Sequence, residues 1–176
     1  MGKQYKSLSK SDIDFIQEQR LFYIASASSR EVNLSPKGYE SIYVSDPNTL
    51  YMLDYLGSGN RTARDINEGG EVTLLFNAFE NDPKILRCFC KAEVIDRGTD
   101  TFISTSTFFN EDMSAIRQIF RFKVYAVESS CGMGVPLMAY QEERSGVRDY
   151  AIMMAKNGQF DQYVNDHKSP PNLHEL

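Results

Sequence analysis

The stretch Leu50–Phe76 constrains the fold most strongly, because it divides into a strand, a glycine-rich turn, a short helix and a second strand. Leu50–Tyr55 is rich in aromatic and apolar residues, which predicts a strand. Gly57–Asn60 breaks that strand, because its glycines permit backbone angles that other residues avoid. A short polar helix is predicted over Thr62–Asn67, ended by a glycine pair, and an apolar strand is predicted over Val72–Phe76.

This strand–turn–helix arrangement predicts an anion site at the start of the helix. Unpaired backbone N–H groups and the positive end of the helix dipole point at the same place. Arg61 and Arg64 lie there in the sequence, beside the hydroxyls of Ser58 and Thr62 and the amide of Asn60. We therefore predict that the turn binds a phosphate. Neither the GxGxxG fingerprint nor a P-loop is present, so a solvated turn before a surface helix is the alternative interpretation.

Composition indicates a soluble globular chain whose cations act locally. At 176 residues the chain is long enough to bury a core, and we predict one domain over residues 1–176. The net charge of −5 argues against a nucleic-acid partner. The sequence contains no run of about 18 apolar residues, so no membrane span is predicted. Cys88, Cys90 and Cys131 lack the spacing of a metal site, so we expect no metal and a reducing, cytoplasmic location.

Short strands separated by turns fill most of the chain. They are predicted at Leu21–Ala27, Val32–Ser35, Ile42–Val44, Leu50–Tyr55, Val72–Phe76, Ile85–Ile95 and Phe120–Glu128. Pro36 should end the second strand, because proline cannot continue the hydrogen-bond ladder. Ser129–Pro136 is predicted to be a second glycine-rich loop.

Helices are predicted mainly at the two ends of the chain. Ser11–Asp14 has the pattern of a capping box, which would begin a helix that runs to about Arg20. The residues from Glu142 to Val164 follow a helical pattern that Gly158 interrupts. Together with the strands, these elements predict a mainly β (α+β) fold, either a barrel or an α+β domain. Only one short helix links consecutive strands, which disfavours a doubly wound parallel sheet.

Taken in order, the blocks FYIASAS, VNLSPKG, DPNTLYMLDYLGSGNRTARDI, VTLLF, ILRCFCKAEV and SCGMGVP resemble the pyridoxamine 5′-phosphate oxidase-like flavoprotein family. The match covers about residues 10–140, and its specificity lies in the ordered set of blocks. The resemblance implies an FMN-binding split β-barrel over about residues 20–140, with a C-terminal helix and tail over about residues 141–176. It also implies a homodimer, with the flavin in a cleft between the subunits.

The resemblance assigns a phosphate end to the expected FMN site. The family's phosphate contact is an arginine just after a strand and its Gly/Ser turn, and it corresponds to Arg61, with Thr62 next to it. Ser58 and Asn60 in the same turn are further expected contacts. Arg87, on a later strand, is expected to reach the phosphate or the partner subunit. The SCGMGVP block has no role that the resemblance assigns.

The resemblance also assigns a ring end. The segment that lies along the flavin ring in relatives corresponds to Asn33, Leu34, Ser35 and Lys37. The strand end that approaches the ring and the ribityl chain corresponds to Asp54 and Tyr55. Lys37 could equally be an exposed lysine in a turn that makes no contact with the flavin.

The expected function is that of an FMN-dependent oxidoreductase with an unknown substrate, in which the flavin carries the chemistry. No side chain stands out as a general acid or base. The authentic oxidase has a C-terminal Arg-x-His block that this chain lacks, and His167 and His174 are expected to be solvated tail residues, so oxidation of vitamin B6 is not expected. The family also contains deazaflavin-dependent and haem-binding members. The alternatives are therefore a non-catalytic flavin- or haem-binding or sensor protein, and an interaction domain with an empty cleft.

Overall fold

Eight strands of one curved sheet dominate the fold, which a computed structural model describes over residues 2–173. The strands are β1 (Lys3–Tyr5), β2 (Phe22–Ala27), β3 (Asn33–Lys37), β4 (Ile42–Asp46), β5 (Thr49–Tyr55), β6 (Glu71–Asn77), β7 (Lys84–Asp96) and β8 (Ile116–Cys131). The helices are α1 (Lys10–Glu18), α2 (Arg61–Asn67), α3 (Asp100–Ser106), α4 (Gly146–Lys156) and α5 (Phe160–Asp166), and a 3-10 turn, Met113–Ala115, precedes β8.

The sheet is antiparallel throughout and does not close. Its strand order is β3-β2-β6-β7-β8-β5-β4, and β1 pairs with the far end of β8. Because β3 and β4 end this order, their outer edges have no strand partner. The mainly β (α+β) split-barrel fold predicted from the sequence is confirmed, and its barrel is an open one.

The main core lies on the concave side of the sheet, where every second strand residue points inward. On β2, Phe22 and Ile24 are fully buried, and Phe22 stacks on Phe76 of β6 with ring centroids 5.4 Å apart. Helix α2 closes this core with Ala63 and Ile66. Burying one such apolar side chain contributes roughly 1.5–3 kcal/mol, so this layer holds α2 firmly beside the end of β5.

The C-terminal helices form a hairpin against the end of β5. Gly158, in the left-handed region at φ 68°, separates α4 from α5, as the sequence pattern predicts. Ala151 of α4 and Phe160 of α5 pack on Leu56, the residue that follows β5. The hairpin therefore lies beside the predicted phosphate turn.

Helix α1 begins two residues earlier than the sequence pattern predicts. Its N-cap is Ser9, not Ser11, and the capping box joins Ser9 to Asp12. The Ser9 backbone N–H donates to Asp12 Oδ2 at 3.0 Å, and Ser9 Oγ accepts from the Asp12 N–H at 3.2 Å. Asp12 also accepts hydrogen bonds from Tyr5 and Lys84, and these long-range contacts favour this register over the other.

Two predicted strand ends are also wrong. β3 continues through Pro36 to Lys37, which is possible because β3 is an edge strand whose outer side needs no N–H donor. β8 continues through Ser129 to Cys131, so only Gly132–Pro136 of the predicted loop lies outside a strand. Pairing with β7 and with β1 extends β8 to Cys131. Strand β1 itself has only three residues, which is too short for a sequence pattern to predict it.

Replacing the N-cap serine tests the observed start of α1. We expect Ser9→Ala to lower the free energy of unfolding by about 1 kcal/mol, because the N-cap hydroxyl is lost. Ser11→Ala, an exposed change in the first turn, should alter it by less than about 0.5 kcal/mol. Urea denaturation of the two variants measures the difference. A larger loss for Ser11→Ala would restore the register expected from the sequence.

Candidate functional site

A cavity of about 890 Å³ lies between β3 and the end of β5. Its walls are β3, the end of β5, the turn that follows β5 and the first residues of α2, and residues 140–147 lie across it. Ligand pockets commonly measure roughly 300–1,000 Å³, so the space suits a cofactor-sized molecule. The cavity is a product of the open barrel, because it lies where the unpaired edge of β3 approaches the other end of the sheet.

The structure brings nine of the residues expected to bind the cofactor to this one cavity, and it leaves out Arg87, Arg64 and the exposed Leu34. Those that line it are Asn33, Ser35, Lys37, Asp54, Tyr55, Ser58, Asn60, Arg61 and Thr62. Arg87 does not line it. Its Nη1 lies 3.3 Å from Glu128 Oε1 and 3.3 Å from Ser130 Oγ, on the face of the sheet opposite the core.

Asp54 is a buried carboxylate at the centre of the cavity wall. Its Oδ2 accepts hydrogen bonds from Arg117 Nε at 2.7 Å and Gln118 Nε2 at 2.8 Å, and its Oδ1 lies 3.5 Å from Lys37 Nζ. Burial alone would raise the pKa of Asp54, but the charges of Lys37 and Arg117 and these hydrogen bonds outweigh it and hold the pKa below its usual range. Asp54 is therefore an ionised structural anchor.

A second polar network lines the same cavity. The side-chain amide of Asn33 on β3 donates to Thr62 Oγ1 at 3.0 Å and to Ser26 Oγ at 3.1 Å. Ser26 in turn donates to the fully buried Asp65 of α2 at 2.7 Å. These bonds fix the start of α2 against β2 and β3, so the predicted phosphate residues and the predicted ring residues belong to one connected wall.

The two arginines of α2 have different surroundings, which the sequence does not distinguish. The side chain of Arg64 is only 10% exposed, and it donates to Asp65 Oδ1 and to Glu31 Oε1, each at 2.7 Å. Arg64 is absent from the cavity wall, so its expected place at the anion site is wrong: the buried carboxylate of Asp65 holds it. Arg61 does line the cavity, and its Nε donates to Glu31 at 2.9 Å. The hydrogen bond from Arg64 is the main cause that lowers the pKa of Glu31, to about 2.

Arg117 and Gln118 complete the site, and sequence reasoning missed both. Arg117 Nη2 donates to the carbonyl oxygen of Gly59 at 2.6 Å, and Gln118 Nε2 donates to Asn60 Oδ1 at 2.9 Å. The expected strand began at Phe120, which left these residues in an unassigned segment. One signal in the sequence could have found them. Arg117 and Gln118 are adjacent polar residues between Ile116 and Ile119, so they interrupt an apolar stretch that would otherwise begin the strand.

Aromatic residues form another part of the cavity wall. The rings of Tyr39 and Tyr55 have centroids 4.9 Å apart, and the guanidinium of Arg148 lies 5.1 Å from the centroid of Tyr39. Tyr39 OH donates to the carbonyl oxygen of Arg144 at 2.5 Å, which ties residues 140–147 to the wall. Burial, followed by the charge of Glu111, raises the pKa of Tyr55 and keeps its phenol protonated.

Within the described residues, the cavity wall contains no cysteine and no histidine. No cluster of His, Cys, Asp and Glu in residues 2–173 could hold a metal ion. The thiols of Cys88 and Cys90 are buried in the core, where burial raises the pKa of Cys88 to about 12. The ring of His167 stacks on Tyr163 with centroids 4.0 Å apart, outside the cavity wall. His174 lies outside the described residues.

Comparison with known proteins identifies a family. The family model described as pyridoxamine 5′-phosphate oxidase matches residues 12–131. The pyridoxamine 5′-phosphate oxidase family protein ustO of Aspergillus flavus is 32% identical over 139 residues, which are 76% of this chain and 56% of that protein. The chain thus spans little more than half the length of this curated relative.

Solved structures share the fold at low sequence identity. A variant of HupZ from Group A Streptococcus matches with a TM-score of 0.58 and 17% identity, over 69% of this chain and 98% of that one. The FAD binding protein of Mycobacterium smegmatis matches with a TM-score of 0.51 and 9% identity, over 72% of this chain and 97% of that one. The fold therefore defines a protein of the split-barrel class. With the family-model match, the chain belongs to the pyridoxamine 5′-phosphate oxidase family.

No helix within residues 2–173 has both the length and the apolar character that a membrane span requires.

The low pKa of Asp54 predicts an acid-sensitive fold. The ordinary pKa is near 3.8, and it is lower in the folded state, so the stabilisation is fully present above about pH 4 and is lost as the pH falls below it. Asp54→Asn should cost roughly 3–5 kcal/mol at pH 7, because Arg117 loses its buried partner, and it should flatten the loss of stability below pH 4. Urea denaturation at pH 7, 5, 4 and 3 measures both effects.

Asp100→Asn, at the exposed start of α3, is the matched control and should retain the wild-type acid dependence. If Asp54→Asn and the wild type lose stability in parallel below pH 4, Asp54 does not carry the acid response.

Proposed function

We propose that this chain binds FMN and acts as an FMN-dependent oxidoreductase on a small molecule. The observation that carries the proposal is that one cavity joins a polar turn beside Arg61 to the unpaired edge of β3. A ligand that carries both a phosphate and a planar heterocycle needs both environments in one cavity: the turn for the phosphate and the strand edge for the ring. Membership in the family supports a flavin as that ligand.

The turn end of the cavity fits a single phosphate group. Only Nε of Arg61 is engaged with Glu31, and its two Nη groups donate to no residue within 2–173. A guanidinium fork can donate two charge-assisted hydrogen bonds to phosphate oxygens. Ser58 and Thr62 add hydroxyls to the same wall. Helix α2 has seven residues, so its dipole adds little, and Arg61 is the main source of positive charge.

The β3 end of the cavity fits a flat ring that carries its own donors and acceptors. As the last strand in the sheet order, β3 presents backbone N–H and C=O groups that no other strand pairs. The side chains of Asn33, Ser35 and Lys37 lie on the cavity side of this strand. A bound flavin would supply hydride transfer. The protein would orient the ring along β3, and residues 140–147 would limit access of water to it.

The lining favours FMN over the other cofactors that the family suggests. Among the described residues, the lining contains no His, Cys or Met, so tyrosine is the one common type of haem ligand in it. A tyrosine binds iron as the phenolate, and burial raises the pKa of Tyr55, which disfavours that form. The relative from Mycobacterium smegmatis is named for FAD, so the choice between flavins depends on this chain's own phosphate end. That end has one turn and one available arginine, which suits the single phosphate of FMN.

Pyridoxamine 5′-phosphate is a poor candidate for the substrate. The described part of the C-terminal region has no Arg-x-His block, and His167 is the one histidine within it. The Nδ1 atom of His167 lies 2.9 Å from the carbonyl oxygen of Tyr163, so the ring is held by its own helix. The proposed oxidoreductase would therefore act on another substrate, which the tyrosines of the cavity wall would contact.

The placement of the cysteines is consistent with the proposed cytoplasmic location. Cys88, Cys90 and Cys131 are all free thiols, and Cys131 is exposed. Unpaired thiols persist in reducing compartments, whereas secreted proteins tend to pair theirs.

The outer face of the sheet supports a homodimer. The cross-strand pair Tyr23–Leu75 and the nearby Phe89 lie on the face opposite the core, and each is only partly buried. Large apolar side chains on a face that the chain itself leaves open commonly mark an interface, and a two-fold symmetric pair is the commonest oligomer. Arg87 lies next to this surface, paired across the ladder with Leu75, which fits its expected role toward a partner subunit.

Titration with FMN tests the proposed cofactor. We expect the flavin-free protein to quench FMN fluorescence, and Arg61→Ala to weaken FMN binding by roughly one to two orders of magnitude. The reason is that hydrogen bonds to a charged group are worth about 1.5–3 kcal/mol each, and 1.4 kcal/mol is about tenfold in affinity. Arg61→Lys should recover part of the affinity.

The matched control is Arg30→Ala. Arg30 pairs with Glu68 at 3.3 Å and lies outside the cavity wall, so its loss removes the same charge without removing a phosphate contact. Arg64 cannot serve as the control, because it holds the buried Asp65. Wild-type protein that binds no FMN, or equal affinities for wild type and Arg61→Ala, would contradict the proposal. Reduction of bound FMN by NADH or NADPH then distinguishes an oxidoreductase from a flavin carrier.

Light scattering tests the proposed dimer. We expect a dimeric mass at micromolar concentration, and a monomeric mass for Leu75→Glu, because a carboxylate cannot be buried there without a partner. Ile103→Glu changes an exposed apolar residue on α3 and should remain dimeric. A dimeric Leu75→Glu would mean that the subunits meet through another surface, and a monomeric wild type would refute the dimer itself.

A further inference from the structure

Arg117 joins the buried carboxylate of Asp54 to the glycine turn. Its Nε donates to Asp54 Oδ2 at 2.7 Å, Nη1 donates to the Gly57 carbonyl oxygen at 3.3 Å, and Nη2 donates to the Gly59 carbonyl oxygen at 2.6 Å. The side chain is only 8% exposed. The three nitrogens of one planar guanidinium thus contact one strand residue and two turn residues.

A β-bulge aims Arg117 at the turn. In the β5–β8 ladder, Asp54 pairs with Gln118, whereas Tyr55 pairs with Ile116, so Arg117 is an extra residue without a partner on β5. A bulge lets two successive side chains leave a strand in similar directions, and bulges often re-aim a side chain beside a functional site. Here Arg117 and Gln118 both reach Asp54, which regular alternation along β8 would prevent.

The contacts of Arg117 determine which way the turn's peptide groups point. In a peptide unit the C=O and the next residue's N–H point in opposite directions. With the carbonyl groups of Gly57 and Gly59 held on the guanidinium, the N–H groups of Ser58 and Asn60 point away from it. Neither N–H donates to any other residue in the described range 2–173, although both residues line the cavity.

The surrounding charges are also suited to an anion. Asp54 carries one negative charge, and Lys37 and Arg117 each carry one positive charge, so this partly exposed cluster has a net charge of +1. Gln118 links the same cluster to the side chain of Asn60. Because Arg117 is engaged by Asp54 and by the turn, it contributes by orienting the backbone, while Arg61 remains available for direct contact.

We propose that Arg117 is a positioning residue for an anion subsite: it holds the Gly57–Asn60 turn so that the Ser58 and Asn60 N–H groups face the cavity. The identity of the anion as the FMN phosphate rests on the proposed function. The orientation of the turn does not rest on the proposed function, because it follows from hydrogen bonds within the protein.

Arg117→Lys tests this role, because lysine keeps the charge beside Asp54 and loses the fork. The first measurement is ¹⁵N relaxation of the flavin-free full chain. We expect the order parameters of Ser58, Gly59 and Asn60 to fall from about 0.85 to below about 0.6 in the variant. Arg121→Lys, the same substitution on the same strand at an arginine that pairs with Glu93, should leave them unchanged.

The second measurement compares the dissociation constants of FMN and riboflavin, which differ by the phosphate alone. We expect Arg117→Lys to reduce the preference for FMN by about tenfold, equivalent to about one hydrogen bond to a charged group, with riboflavin affinity unchanged. A merely structural role would weaken both ligands equally, and urea denaturation reports any global loss of stability.

The outcomes separate the two proposals. An ordered turn in Arg117→Lys, or equal weakening of FMN and riboflavin, would overturn the positioning role. A wild-type protein that does not prefer FMN to riboflavin would refute the phosphate site of the proposed function. In that case the order parameters alone decide whether Arg117 holds the turn.

Discussion

The buried charge of Asp54 is the constraint on which the site depends. An ionised carboxylate in the interior is strongly destabilising unless cations and donors surround it, and three side chains from two strands supply them. One of these, Lys37, comes from β3 at one end of the sheet order, whereas Asp54 lies on β5 near the other end. The ion pair therefore connects the two ends of an open sheet. Both members of this ion pair line the cavity.

A second buried carboxylate, Asp65, has the same function for helix α2. It is fully buried and is bonded to Ser26 of β2 and to Arg64, its own neighbour in sequence. Glu31 joins this cluster by contacting both arginines of α2. The glycine turn thus lies between two anchored points, one on each side. Such anchoring allows an irregular, glycine-containing segment to keep one conformation, since glycine itself imposes little restriction on the backbone.

The division of work among the arginines follows from burial. Arg64 and Arg117 have nearly inaccessible side chains and are paired with buried carboxylates, so they maintain geometry. Arg61 is more exposed and uses one nitrogen on Glu31, which leaves it able to meet a ligand. A family resemblance alone cannot make this distinction, because all three residues are arginines close to one turn. The burial and the hydrogen-bond partners of each side chain make it.

The sequence by itself determined the elements whose signals are local. Runs of apolar and aromatic residues located β2, β5 and β6, and glycines marked the turn after β5 and the break between α4 and α5. The ordered blocks led to the family and to cavity residues from Asn33 to Thr62. Only the tertiary structure decided the rest. The N-cap at Ser9, the extension of β8 and the three-residue β1 depend on pairing between distant segments.

The same reason explains why Arg117 and the role of Arg64 were beyond sequence reasoning. Arg117 and Asp54 are 63 positions apart, and a single bulged residue determines that they meet. Periodicity describes which face of one element a residue occupies and disfavours a one-residue slip between paired strands, but it does not reveal where a bulge lies. The energetic cost of a buried charge selects that register, and this cost arises only when the chain is folded.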